Sequence, residues 1–333
     1  MIALFQSKPN SKAWSCRLES ARGTGVSPVD PSQEAPRVST TRRMRVALFL
    51  ILGLLLFVTT ATAQKPANSG DQSRYVSLDG ARIHYKSFGK GKEAIVLIHG
   101  WTCNLDNWRD QIPDFEKRTR VIAIDLPGHG QSDKPQIAYT MDLFARAVDA
   151  VMSDAGVKRA VLVGHSMGTP VARQFYRKYP QKTLGIVIVD GALRPFADRK
   201  AMEGFIASFR SPNYKEAGAG MFAQMAGPNL SAELKERIQT SFLNTPQHVI
   251  VSAMEGMADD AIWGQDKINV PTLAIMAKSP FYPPDIEQRY RTIAPALEFQ
   301  TWDGVGHFLM MEKPKQFNEA VIAFLDKNAL LKK

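Results

Sequence analysis

Beyond residue 90 the chain repeats short apolar runs that do not alternate with polar positions. AIVLIHG, RVIAIDLPGHG, AVLVGHSMG, GIVIVDG, PTLAIMA and LEFQTWDGVGHF supply six strand candidates. Strands covered on both faces read this way, whereas half-solvated strands alternate. Ahead of them, YVSLDGARIHYKSFG places two β-like runs across Asp79-Gly80, a hairpin signal. Stretches such as residues 141–155 and 169–179 have helical spacing. The pattern predicts an α/β domain over 74–333 with a mostly parallel sheet, flanking helices and a short antiparallel start.

Between GIVIVDG and PTLAIMA lie about 80 residues with no strand pattern. They read as a helical cap at about 192–268, inserted between the sixth and seventh core strands. Met202, Met221, Met225, Met254 and Met257 fall there, with Phe205, Phe209, Phe222, Phe242 and Trp263. Such residues fill a core, and in a lid they also line an apolar, adaptable pocket.

Composition separates the first 63 residues from the rest. Arg42, Arg43 and Arg45 precede VALFLILGLLLFV at 46–58, and small residues ending Ala61-Thr62-Ala63 follow. A basic start, a short apolar run and an A-x-A ending are the parts of a signal peptide, expected here over 44–63. Residues 1–43 then read as a disordered leader or a mis-assigned start, and 64–73 as a polar linker. Export to the periplasm or the medium is the expectation, with a membrane anchor as the alternative if the segment is retained. Residues 1–63 hold eight Lys/Arg and three Asp/Glu, so without them the formal net charge falls from +10 to +5. The remaining cations are spread along the chain and point away from a nucleic-acid partner. Cys16 lies in the leader, which leaves Cys103 as a lone thiol that reads as packing.

The sharpest chemical motif is Gly164-His165-Ser166-Met167-Gly168, between the run AVLV and the helical TPVARQFYRKY. G-x-S-x-G at a strand-to-helix turn lifts a serine hydroxyl clear of a sheet and beside a helix N-terminus. With HGW at 99–101, DLPGHGQSD at 125–133 and GVGHFLMMEKP at 304–314 in order, nearly all of 74–333 resembles the α/β-hydrolase fold superfamily.

That resemblance implies Ser166 as nucleophile, His307 as its base, and the backbone N–H groups of Trp101 and Met167 as an oxyanion hole. His99 and His129 read as loop ties, and His84 and His248 have no sequence context. Dehalogenases and epoxide hydrolases of this fold use an elbow aspartate, so Ser166 points away from both. The acid is open: where the family usually keeps it, after PTLAIMA, stand Lys278, Ser279 and Pro280. Asp190 at the end of GIVIVD is the first choice and Asp285 beyond the two prolines the alternative; Asp303, on the histidine's own loop, would have difficulty approaching from the far side, and a dyad or water-supported histidine is the remaining option. The expected activity is cleavage of a small acyl ester through an acyl-enzyme, with no cofactor or metal. Cofactor-free haloperoxidase-like or C–C bond hydrolase chemistry, or a receptor that binds without turnover, are the alternatives.

Overall fold

The computed structural model describes residues 73–195 and 197–331. The expected leader, signal segment and linker up to residue 72 lie outside the described residues. Eight strands form one sheet: β1 Ser73–Leu78, β2 Ala81–Phe88, β3 Glu93–Ile98, β4 Arg120–Ile124, β5 Arg159–His165, β6 Thr183–Val189, β7 Thr272–Ala277 and β8 Leu297–Trp302. Their spatial order is β1-β2-β4-β3-β5-β6-β7-β8. β1 and β2 are antiparallel to each other and β2 is antiparallel to β4, while β4 through β8 are parallel. This is the mostly parallel sheet with an antiparallel start that the hydrophobic pattern predicts.

Local chemistry explains the elements. Asp79 (φ 51°) and Gly80 (φ 85°) both take left-handed backbone, the requirement of a two-residue hairpin turn, and bring Leu78 opposite Ala81. All six residues of β7 are buried, as expected of a strand covered by helices on both faces. The first two helices are α1 (Ile112–Glu116) and α2 (Met141–Asp154). Thr140 starts α2, its hydroxyl accepting from Leu143 N at 3.1 Å. Met141, Phe144, Val148, Val151 and Met152 recur along its buried face, and it packs on α3 (Gly168–Lys178).

The segment between β6 and β7 is helical: α4 Arg199–Arg210, α5 Tyr214–Met225, α6 Ala232–Leu243, α7 Gln247–Ala258 and a 3-10 turn, Asp260–Trp263. A buried arginine ties both roots of this cap to α3. Arg173 donates to Leu193 O at 2.9 Å where the cap begins, and to Gly264 O and Asp266 where it ends. Burial lowers its pKa to about 10, so these acceptors are what keep a charge tolerable there. After β7 come α8 (Ile286–Arg291), then β8, α9 (Leu309–Glu312) and α10 (Pro314–Lys327). Among the described residues no helix is long and apolar enough to cross a membrane.

Candidate active site

The C-terminal ends of β3, β5 and β6 and the loop after β8 converge on one cavity. Ser166 sits directly beyond β5, at φ 52°. Gly164 and Gly168 make that turn possible: a Cβ on Gly164 would lie 2.4 Å from Gly168 O, and one on Gly168 2.4 Å from Ile98 O. Both collisions are with backbone, which cannot swing aside. Six non-glycine described residues have positive φ, and three of them, Thr102 (58°), Ser166 (52°) and Asp190 (43°), stand at this strand edge. Each such conformation costs on the order of 1–3 kcal/mol and persists only where its surroundings impose it. The concentration of strain here marks a candidate functional site.

The structure brings Asp190 to His307. Asp190 follows β6, is 3% exposed, and its Oδ2 accepts from His307 Nδ1 at 2.6 Å. Its other oxygen accepts from Ala277 N at 2.8 Å, and its own N–H donates to Ile275 O. The carboxylate is thus fixed by the neighbouring strand β7. With Nδ1 donating, Nε2 is the nitrogen left to take a proton. The other two carboxylates lie elsewhere: Asp285 pairs with Arg289 at 2.8 Å, and Asp303 with Lys278 at 2.7 Å, both well exposed. The unusual loop contributes Tyr282 instead, whose hydroxyl donates to the Asp190 carbonyl at 3.4 Å. Burial and the nearby Asp190 charge hold that phenol well above its ordinary pKa.

The loop after β3 is braced from below. His99 Nδ1 donates to Gly100 O (2.7 Å) and its Nε2 accepts from Leu126 N (3.0 Å), which joins this loop to the one after β4. His129 bonds the Pro127 carbonyl at 2.9 Å in the same layer. His84 lacks sequence context but not a partner: its Nδ1 meets Asp125 Oδ2 at 2.7 Å, both buried. Asp125 also accepts from Leu105 N and Gln131 N. His165 points away from the cavity into the protein, bonding the His307 carbonyl at 2.9 Å. Burial drives the pKa of His99 down, that of His129 to about 3, and that of His165 well below the usual range, so all three are neutral. Burial likewise pushes the Cys103 thiol up to about 12, as expected of an inert packing residue. Trp101 and Met167 carry N–H groups that have no backbone acceptor among the described residues. The Trp101 indole donates to Ile250 O in α7 at 2.9 Å, so this loop also supports the cap.

Ser166, Asp190 and His307 line a cavity of about 380 Å³ roofed by the cap. Met221, Met225, Met254, Met257, Phe205 and Trp263 line it, while Phe209, Phe222 and Phe242 stack within the cap. Besides Asp190 and His307, the one acidic or basic residue on its wall is Lys278, which is already paired with Asp303. Among the described residues no cluster of His, Cys, Asp and Glu is arranged to hold a metal. Sequence reasoning passed over Arg173, the His84–Asp125 pair and Glu312, whose carboxylate accepts from Gly306 N at 2.8 Å beside the histidine. Nothing in their spacing signals those roles, because each depends on a partner 6 to 93 positions away.

A family model of the alpha/beta hydrolase fold matches residues 93–245. A 2-hydroxy-6-oxononadienedioate/2-hydroxy-6-oxononatrienedioate hydrolase of Paraburkholderia phymatum is 28% identical over 276 residues, covering 76% of this chain and 95% of that one. The acetyltransferase component of an acetoin cleaving system from Cupriavidus necator is 37% identical over 116 residues, and the chain spans about a third of that longer protein. Among solved structures, Est816, described as an N-acyl homoserine lactone degrading enzyme, is 29% identical with a TM-score of 0.67. That match covers 75% of this chain and all of the other. Sheet order, elbow, cap and relatives agree, and the chain has the α/β-hydrolase fold.

Proposed function

We propose that this hydrolase is a serine esterase for neutral carboxylic esters or lactones with an apolar acyl part. Ser166 attacks the carbonyl carbon and His307 Nε2 takes the hydroxyl proton. Asp190 holds the imidazole in the tautomer that permits this and stabilises the imidazolium that forms. The N–H groups of Trp101 and Met167 receive the developing oxyanion. His307 then returns the proton to the leaving oxygen, and water, activated the same way, hydrolyses the acyl-enzyme.

The 2.6 Å bond between His307 and Asp190, in the cavity that also holds Ser166 on a strained elbow, carries this reading. The cavity wall supports the substrate class. A neutral ester fits a site whose only distal cation is a paired, largely exposed Lys278, whereas a doubly charged acid would leave a carboxylate without a buried partner. The relative from Paraburkholderia phymatum favours C–C bond hydrolysis as the second reading, with the same serine. The receptor reading rested on the lack of a carboxylate after β7, and Asp190 beside His307 removes that motive.

A fluorophosphonate probe tests the nucleophile: it should label wild type on Ser166 and leave Ser166→Ala unlabelled. Hydrolysis of p-nitrophenyl esters, of an N-acyl homoserine lactone and of a vinylogous diketone acid separates the two enzyme readings, and turnover of the diketone alone would favour the second. Export through residues 44–63 is part of the proposal, supported by the basic-apolar-small order of that segment. A mature N-terminus at Gln64 in the exported protein is the expected result, and an intact segment on a membrane-bound form would replace it with anchoring.

A further inference from the structure

The loop that carries His307 is bonded to the cap as well as to the core. His307 N–H donates to Met225 O at 3.0 Å, at the end of α5, and Asn229 Nδ2 donates to Gly304 O at 2.6 Å. Gly306 and Gly227 lie back to back: a Cβ on Gly306 would stand 2.2 Å from Gly227 N, and one on Gly227 2.2 Å from Gly306 N. Two segments 79 positions apart therefore meet at backbone contact, one from the cap and one from the histidine loop.

A single carboxylate closes this junction. Glu312, in α9, is buried, and its Oε1 accepts from Gly306 N at 2.8 Å. Its Oε2 is turned to the cap side, where a Cβ on Gly227 would come within 2.1 Å of it; it is buried there without a hydrogen-bond partner among the described residues, although the Gly227 and Asn229 N–H groups lie near enough to favour its charge. Burial raises the pKa of this carboxyl, and those donors work against the rise. A buried carboxylate bonded to one segment and pressed against the other, with one oxygen left without a hydrogen bond, is a costly structural device unless the two must be held in register.

We propose that Glu312 is a positioning residue that locks the cap segment Met225–Asn229 to the histidine loop, so that cap placement over the substrate and placement of His307 are one event. Glu312 touches neither the ester nor Ser166. It acts on the backbone directly before His307, whose side-chain direction toward Asp190 follows from that backbone. Displacing the cap withdraws the acceptor for His307 N–H, and the base loses its alignment along with the cavity its roof.

The inference rests on the esterase reading, and the test keeps the two apart. Wild type is first labelled with the fluorophosphonate, and failure at that step defeats the esterase reading itself. Steady-state hydrolysis of p-nitrophenyl butyrate is then compared across Glu312→Ala, Glu312→Gln and Asn229→Ala, with thermal melting as a check of folding. Loss of a charge-assisted bond made to position the base predicts a fall of roughly 10- to 100-fold in kcat for Glu312→Ala, with KM changed little. Glu312→Gln keeps one oxygen for Gly306 but sets an amide NH2 against the cap donors, so it restores kcat in part. Asn229→Ala, which removes a bond on the other side of the junction, lowers kcat by a smaller factor and folds whether or not Glu312→Ala does. Unchanged kcat in Glu312→Gln and Asn229→Ala, or a rise in KM alone, would overturn the proposal and leave Glu312 as a support of the cap.

Discussion

The ends of β6 and β7 are adjacent in the sheet, and they handle carboxylates in opposite ways. Beyond β6, Asp190 is forced into left-handed backbone, buried, and bonded at both oxygens, to Ala277 N and to His307. Beyond β7, the loop that most often supplies the acid in this superfamily carries Lys278, and the carboxylates of Asp285 and Asp303 lie in exposed ion pairs with Arg289 and Lys278. Exposed pairs of that kind contribute on the order of 0–1 kcal/mol. In the proposed mechanism a carboxylate becomes a catalytic partner through the rigidity of its support, and the β7 strand supports the proposed acid without providing it.

Breaking the β6 side has the largest expected consequence. Asp190→Asn leaves the shape intact but lets the side-chain amide favour the wrong imidazole tautomer, and kcat for an ester should fall by about 10³- to 10⁴-fold. A fall of less than tenfold would mean that His307 works without Asp190.

The layer beneath the two strand ends gives a stability effect. His99, His129 and His165 are kept neutral by burial, with folded pKa values below the unfolded value of about 6.5. In the window between those values the unfolded chain binds more protons, so stability falls as pH falls, beginning near pH 6.5 and continuing toward about 3 for His129. The slope is up to about 1.4 kcal/mol per pH unit for each histidine. Urea unfolding at pH 7.5, 6 and 5 should show the midpoint dropping, and a flat profile would contradict neutral burial.

Smaller changes sharpen the contrast. Tyr282→Phe removes a long bond to the Asp190 carbonyl and should cost only a few-fold in kcat, about what a weak neutral hydrogen bond is worth. Asp303→Asn should leave kcat within about twofold, since it breaks an exposed pair at the cavity rim in which only Lys278 lines the cavity.

Much of this was legible before any coordinates. Six apolar runs and the Asp79-Gly80 hairpin signal placed the eight strands, because burial of central strands on both faces writes itself into composition and a tight turn into its two residues. Ser166 and His307 stood in motifs with fixed local context, and the cap followed from the strandless interval. For the acid the sequence put Asp190 first but kept Asp285 as an alternative, because a strand-end aspartate and a loop aspartate look alike until the backbone of Asp190 and the Arg289 partner of Asp285 are known. Arg173 and Glu312 escaped for a related reason. Their acceptors and donors are mainly backbone groups, which every residue carries and no sequence pattern marks. His84 differs, since its partner Asp125 is a side chain within a quoted motif, yet nothing local joins the two.

The most direct test is the single-turnover acylation rate of Ser166 by a p-nitrophenyl ester in Asp190→Asn and in Asp285→Asn. The account predicts a loss of about three to four orders of magnitude in the first and a rate within about twofold of wild type in the second. The reverse pattern would contradict it and move the acid to the loop after β7.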